Sequence, residues 1–432
     1  MTLPDDHPER FQLANEVHAR PHEALRAPER ASYVAVMLAP GERARDHAHV
    51  AALCERYGVE APRDDAIHFA ATLGAFRLRW ERHTEFSSYA FFVAGRNAQP
   101  FAEPALGAVP ADWLAAIPGR TVAALHAELL ERSAPMPGAS EIAAAFDGNY
   151  VVGSGVGDGA GAVFTDFRIH ADGCGRVLVI DRELSRFQAG RTLQRLFEIE
   201  TYRMMALLAL PVARRMAPRL LEMEHELAHV AAALAERGGG EALLEQLTHL
   251  AANVESAIGE SRYRFGATRA YRDLVESRIA ELRERRLPGT QTIREFMTRR
   301  LAPAIATCES AERRLLELSE RVARASSLLA TRVGVARERQ NQELLASMNR
   351  RARLQLRMQE TVEGLSVAAI TYYVVNLVGY VAKALEAAGV RIEPTIAIGI
   401  AIPVVAALVA LGVRYVRRRI ARSELGTSPF EI

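Results

Sequence analysis

Two charge-free segments near the C-terminal end of the sequence constrain the fold more than any other feature. The first, Gly364 to Ala382, has 19 residues, and the second, Pro394 to Val413, has 20. About 20 helical residues cross a hydrocarbon core of ~30 Å. The eleven residues between the segments are too few for a domain. The pattern therefore predicts a transmembrane hairpin, and the alternative is a buried helical hairpin in a soluble protein.

Arginines flank the two apolar segments, and few basic residues lie between them. Nine arginines stand just outside the hairpin, namely Arg350, Arg351, Arg353, Arg357, Arg414, Arg417, Arg418, Arg419 and Arg422. In the connection, Lys383 and Arg391 are balanced by Glu386 and Glu393. Loops rich in Lys and Arg stay in the cytoplasm. Because lysine is almost replaced by arginine, as in bacteria of high GC content, we expect a bacterial inner-membrane protein with both termini cytoplasmic and the lipid bilayer as its partner.

Composition excludes several classes of protein. The net charge of +2 gives no electrostatic reason for a nucleic-acid partner. Cys54, Cys174 and Cys308 are far apart in sequence, which argues against a disulfide framework or a zinc ribbon. The first 21 residues lack the apolar core of a secretory signal, so we expect the hairpin to be the first segment that meets the membrane.

The residues ahead of the hairpin change in character once. Residues 1–185 predict a cytoplasmic α+β domain, because glycine-rich turns separate short strands there. Residues 186–302 predict a helical layer of antiparallel hairpins, and 303–363 a long stalk helix with an amphipathic stripe. The hairpin (364–382 and 394–413) and a basic cytoplasmic tail (414–432) complete the chain.

Local patterns within these regions predict individual elements. They indicate strands at 32–38, 163–169 and 176–180, and helices at 43–56, 122–130, 241–258 and 266–286. The clearest β signal is an alternation of apolar Phe76, Leu78 and Trp80 with charged Arg77, Arg79 and Glu81.

The charged face of that strand is the first candidate site. Glu81, His83 and Glu85 would share a face if the strand ran straight through them, with alternate residues ~6.6 Å apart. Glu16 and His18, near the start of the chain, are of the same residue types. Together they could bind a cation or a small ligand. The alternative is a solvated strand face, which is the commoner use of such residues.

The second candidate site lies on the first apolar segment. Tyr372, Asn376, Gly379 and Tyr380 are spaced at i, i+4, i+7 and i+8, on one helix face. Polar groups in hydrocarbon face a partner helix or a water-filled pore. Helix packing is favoured over a pore lining. Either interpretation requires neighbouring helices, so we expect a homo-oligomer.

The third candidate is an H-E-x-x-H motif. His225 and His229 lie one helical turn apart, and Glu226 is placed to activate a zinc-bound water. An alanine-rich run and three glycines follow the motif, without a further histidine at metzincin spacing. A third ligand of the gluzincin type would come from the next helix, with Glu245, His249 or Glu255 as the candidates. A solvated helix face is favoured over a metal site.

Four segments resemble a family of bacterial membrane-anchored proteins of unknown function. They are NEVHARP (15–21), WERHTEF (80–86), QRLFEIETYRMMALLALPVA (194–213) and the stretch 331–375 that ends in TVEGLSVAAITYYVV. The architecture is also similar to that of CorA-type magnesium channels, although the Gly-Met-Asn signature of those channels is absent from the sequence. The first resemblance implies a membrane topology and the second implies ion transport.

These patterns support three functional hypotheses. The leading one is a CorA-like ion transport or channel role. The second is a non-catalytic membrane-anchored scaffold or ligand sensor. The third is a zinc-dependent hydrolase that uses the H-E-x-x-H motif, although a non-enzyme is favoured. The cofactor is left open, with a divalent cation as the candidate.

Overall fold

The computed structural model describes residues 4–11, 13–14, 22–131, 138–236, 240–389 and 393–424, with side chains up to residue 416. The chain divides into two compact units, residues 1–327 and 328–432. The first unit contains a mixed sheet and most of the helices. The second contains the end of a long helix and a C-terminal apolar helix.

A nine-stranded sheet forms the centre of the first unit. Its strands are β1 (Glu29–Met37), β2 (His68–Leu73), β3 (Phe76–Arg82), β4 (Phe86–Ala94), β5 (Arg120–Glu131), β6 (Val152–Val156), β7 (Gly161–Thr165), β8 (Gly175–Asp181) and β9 (Arg285–Arg286). Their order is β2-β3-β4-β1-β5-β8-β7-β6-β9. Neighbouring strands are antiparallel except β5 and β8, which pair in parallel.

Nine α-helices surround and follow the sheet in the part of the chain that the structure describes. They are α1 (Arg43–Arg56), α2 (Ala111–Ala115), α3 (Ala139–Ala145), α4 (Arg186–Leu207), α5 (Ala209–Ala235), α6 (Gly240–Glu281), α7 (Ile293–Arg300), α8 (Ala302–Ala387) and α9 (Pro394–Glu424). Helix α4 begins at a capping box, because the Ser185 hydroxyl accepts from the Gln188 N–H and the Gln188 side chain accepts from the Ser185 N–H.

Both faces of the sheet are covered. The alternation in β3 places Phe76, Leu78 and Trp80 in a core with Leu53 and Val50 of α1. On the opposite face, β1 and β5 pack on α4, and residues of α6 and α7 join the same core. The charged residues of β3 face α4. Because helices cover both faces of the sheet, Arg79 and Glu81 are buried.

Several sequence-based predictions are confirmed. A helix occupies 43–56, strands occupy 29–37 and 175–181, and the alternating segment forms the hairpin β3–β4. Others are wrong. Residues 122–130 form the central strand β5, and α6 is one helix where the local pattern predicts two. Strand β5 is buried on both faces, so its sequence lacks the alternation that marks a strand.

The second unit has two helices that are long and apolar enough to cross a membrane, by length and composition. One ends at Ala387 and the other covers Pro394–Val416, and their apolar windows are 11% and 0% buried. This suggests membrane association. The two helices touch, because a Cβ on Gly379 would lie 3.0 Å from Cδ1 of Ile398.

Candidate functional site

A small cavity lies between the sheet and α4, at the charged face of β3. It has a volume of about 30 Å³. Its polar lining consists of Glu23, Arg79, Glu81, His83, Ser88, Gln194 and Glu198, and apolar residues including Tyr33, Phe86, Phe92, Phe197 and Tyr202 complete the wall. Space of this size holds one or two waters or a ligand of a few heavy atoms.

Arg79 is the central cation of the cavity. It is 5% exposed, and its guanidinium donates to Glu81 and, at 3.2 Å, to Oε1 of Gln194. Its Nε is buried and has no hydrogen-bond partner among the described residues. Most buried donors in proteins are paired, so an unpartnered Nε on an arginine that lines a cavity is notable.

Glu81 is held in its ionised form by its neighbours. Burial alone would raise its pKa, but the nearby His83 imidazole and the charge and hydrogen bond of Arg79 outweigh burial and lower the pKa to about 2. Nε2 of His83 lies 3.8 Å from a Glu81 oxygen, and the imidazole stacks on Phe86 with ring centroids 4.2 Å apart. These contacts fix the geometry of both side chains.

A series of polar contacts connects the cavity to helix α6. Nε2 of Gln194 donates to Glu198 at 2.8 Å, and Glu198 accepts from Arg278 of α6. Arg278 also donates to Glu281 at 2.7 Å, and Glu281 accepts from Arg195 of α4 at 2.9 Å. The cavity wall and the α4–α6 contact therefore share the same side chains.

The segment before β1 contributes Glu23 to the cavity wall. Oε2 of Glu23 accepts from Arg77 at 3.1 Å, and the Glu23 carbonyl lies against Gly190 of α4. The pKa of the adjacent His22 is lowered, first by partial burial and then by the positive charges of nearby arginines: Arg191, Arg79 and Arg195. Three arginines therefore lie close enough to His22, beside the cavity, to disfavour its protonated form.

The predicted strand site is brought together only in part. Glu81 and His83 line the cavity, but β3 ends at Arg82 and the chain turns there, so Glu85 does not share a strand face with them. Glu85 instead accepts from Arg264 and, at 3.1 Å, from the Tyr271 hydroxyl of α6. Glu16 and His18 lie outside the described residues.

Sequence reasoning missed the residues that complete the cavity. In the sequence, Arg79 is recognisable only as one charged residue in the alternating pattern of β3. Gln194 and Glu198 do not belong to any motif that indicates a site. A signal does exist, because Gln194 and Glu198 are polar at i, i+4 spacing beside buried Leu193 and Phe197. Which strand they meet depends on long-range packing.

The H-E-x-x-H residues lie on the outer face of α5. His225, Glu226 and His229 are all exposed, whereas Met223 and Leu227 on the same helix are buried. They do not belong to a group of three potential ligands close enough to hold a metal ion, within the described part of the chain. The zinc site at this motif stays a prediction.

The four residues of the predicted polar face of α8 have different surroundings in the structure. Tyr372, Asn376 and Tyr380 are exposed in the single chain, while Gly379 is buried against Ile398 of α9. Gly379 thus serves the contact between the two apolar helices. The other three side chains remain available to partners outside the chain.

The sequence matches the model of one protein family over residues 5–420. That family is described as "Protein of unknown function (DUF3422)", and this chain belongs to it. No curated protein and no solved structure matches the chain. Two of the segments noted for their resemblance, 80–86 and 194–213, contribute Glu81, His83, Gln194 and Glu198 to the cavity.

Proposed function

We propose that this protein is a membrane-anchored sensor whose first unit binds a small oxyanion in the cavity beside Arg79. The observation that carries the proposal is the buried Nε of Arg79, which has no partner among the described residues while both terminal nitrogens of the guanidinium are engaged. A buried donor left unpaired costs about 1–3 kcal/mol. An acceptor oxygen in the cavity removes that cost.

The carboxylates of the cavity wall all have arginine partners, and Glu23 is paired with Arg77, so the unpartnered Nε of Arg79 is the group that favours an anion. Glu81 is neutralised by Arg79, and Glu198 is paired with Arg278. A cation at Glu81 and His83 would have to displace the guanidinium of Arg79. The small volume limits the ligand to a few heavy atoms, in the range of formate, bicarbonate, nitrate or acetate.

The contacts of Gln194 give the site a route to the rest of the protein. An anion that draws Arg79 toward itself weakens the Arg79–Gln194 hydrogen bond. Gln194 can then move, which changes its hydrogen bond to Glu198 and the contact of Glu198 with Arg278. Helix α6 then adjusts against α4. We propose that the C-terminal helices form a hairpin anchor in the inner membrane, with both termini in the cytoplasm as the flanking arginines favour.

Ligand binding is tested by thermal unfolding of the full-length protein in detergent. Formate, bicarbonate, nitrate and acetate are added at constant ionic strength, with chloride as the reference. A ligand that binds only the folded state raises the melting temperature. We expect a shift with at least one anion in the wild type and none in Arg79→Lys, which lacks the Nε donor. Arg63→Lys, at an exposed arginine, is the matched control. Equal shifts in all three proteins would refute the site.

Ion transport is the second candidate, and one observation favours it. Tyr372, Asn376 and Tyr380 are exposed on α8, within a segment apolar enough to cross a membrane. An amide in hydrocarbon needs a partner helix or water. Copies of the chain that assemble around this face would satisfy Asn376 and could enclose a pore. Asn376→Leu should then reduce ion flux in proteoliposomes, and unchanged flux would argue against conduction.

A further inference from the structure

Three potential metal ligands meet at the junction of β5 and β8, away from the cavity. They are His126, Asp172 and Cys174, and their ligand atoms all lie within 4.8 Å of one another. Nε2 of His126 is 3.7 Å from Oδ2 of Asp172. In a tetrahedral zinc site, bond lengths of 2.0–2.3 Å place neighbouring ligand atoms roughly 3.3–3.8 Å apart. The group is therefore nearly at coordination distance.

Strand pairing creates this proximity. His126 lies in β5 opposite Arg176, and β8 runs parallel to β5 from the pair Leu125–Gly175 onward. Cys174 immediately precedes β8, so its side chain comes beside His126. A Cβ at Gly175 would lie 2.7 Å from Cδ2 of Leu125, so a larger residue there would have to displace that buried side chain.

A tight turn aims Asp172 at the histidine. Gly173 has a φ of +83°, and the His170 N–H donates to the Cys174 carbonyl at 2.9 Å. Oδ1 of Asp172 accepts from the Cys174 N–H at 3.0 Å. Its other oxygen, Oδ2, is the one directed toward Nε2 of His126. Asp172 is exposed while the other two ligands are buried, so a metal here would reach solvent on one side.

A hydrogen bond at the second ring nitrogen, Nδ1, also orients His126. Its Nδ1 lies 2.9 Å from the Ser32 hydroxyl, which in turn accepts from the Leu106 N–H at 3.2 Å. When Nδ1 carries the proton and donates it to Ser32, Nε2 presents a lone pair to the other two ligands. Metal-binding histidines in proteins are held in this way by a partner on the second nitrogen.

We propose that His126, Asp172 and Cys174 form a zinc(II) site with an open fourth position for water. Imidazole, thiolate and carboxylate together suit zinc among the common divalent cations. Burial, reinforced by the Asp172 charge, raises the pKa of the Cys174 thiol to about 11, so the thiol is protonated at neutral pH. Binding replaces that proton: the S–H bond breaks, a Zn–S bond forms, and one proton goes to the buffer.

Zinc content of the full-length protein in detergent tests the site. The protein carries no polyhistidine tag, is equilibrated with zinc chloride and then passed over a chelating resin. We expect one zinc per chain in the wild type and in Cys308→Ser, a matched control at another buried cysteine. Cys174→Ser should lose the metal. The double variant His225→Ala with His229→Ala should keep it. Retention by Cys174→Ser, or loss in the double variant, would overturn the proposal.

Affinity measurements keep the test valid if Cys174→Ser fails to fold. Asp172→Asn changes an exposed ligand and leaves the core intact, and we expect zinc affinity to fall on the order of tenfold or more. Ser32→Ala removes the positioning group and should weaken binding by about tenfold, with cobalt(II) still giving a thiolate charge-transfer band. Unchanged affinity in Asp172→Asn would exclude the site.

Discussion

Gly190 of α4 faces the backbone carbonyl of Glu23 so closely that a Cβ at position 190 would lie 1.7 Å from the oxygen. The segment before β1 thus packs directly on α4 at Gly190, which has no side chain. The same segment places the Glu23 carboxylate at the cavity and against Arg77. The absence of a side chain at Gly190 therefore allows Glu23 to reach the candidate site.

Gly190→Ala should displace this segment and destabilise the protein by about 1–3 kcal/mol, as overpacking does. Gly266→Ala is the matched control, since Gly266 lies in α6 with nothing within 4 Å of its Cβ position. That change should stabilise the helix by roughly 0.5–1 kcal/mol. Thermal unfolding of both variants in detergent checks the contrast. Equal melting temperatures would mean that Glu23 does not rest on α4.

The local sequence pattern of β3 predicts that its apolar face is buried, but it does not predict that its charged face is buried as well. Arg79 and Glu81 are buried because α4 covers them with Gln194 and Phe197, which are more than 100 residues away in sequence. His126 and Cys174 likewise meet only through the parallel pairing of β5 with β8. Periodicity identifies an element and its faces, whereas the partner of each face depends on the topology of the sheet.

The two apolar helices were the most predictable part of the chain. Apolar segments of about 20 residues need no tertiary partner to be recognised, and both lie within helices of the structure. Strand β5 was the least predictable, because its two buried faces remove the alternation on which strand recognition depends.

Asp46 is a second buried carboxylate whose removal should be costly. It is fully buried and accepts from the Trp80 indole at 3.1 Å, the Ser87 hydroxyl at 2.7 Å and the Tyr89 hydroxyl. Asp46→Ala leaves three buried donors without an acceptor, so we expect a loss of about 3 kcal/mol or more. Chemical denaturation measures it, with exposed Asp65→Ala as the control. A loss no larger than that of the control would contradict the hydrogen-bond network.

Stability should depend on pH through Glu81. Its pKa is lowered from 4.5 to about 2, so the folded state favours the ionised carboxylate. The resulting stabilisation is fully present above pH 4.5 and is lost as the pH falls toward 2. Glu81→Gln should remove this part of the acid sensitivity. Unfolding free energies measured from about pH 2 to about pH 6 compare the two proteins, and parallel curves would show that Glu81 is not held by Arg79 and His83.

The contact between the two apolar helices predicts a disulfide. Gly379→Cys combined with Ile398→Cys should cross-link within one chain under mild oxidation, because the Gly379 Cβ position is 3.3 Å from Cγ1 of Ile398, the atom that a cysteine sulfur would replace. Gly379→Cys with Gly412→Cys is the control pair, since nothing lies within 4 Å of the Gly412 Cβ position. Thiol alkylation and mass analysis count the remaining thiols. Failure of the first pair to cross-link would exclude a packed hairpin.

The most direct test of the anion sensor is hydrogen–deuterium exchange of the full-length protein in detergent. Exchange is followed with formate, bicarbonate, nitrate and acetate together, against chloride at the same ionic strength. We expect the anions to slow exchange in β3, β4 and α4 of the wild type, around Arg79 and Gln194, and to leave Arg79→Lys unchanged. Identical exchange with and without the anions, or equal protection in Arg79→Lys, would contradict the account.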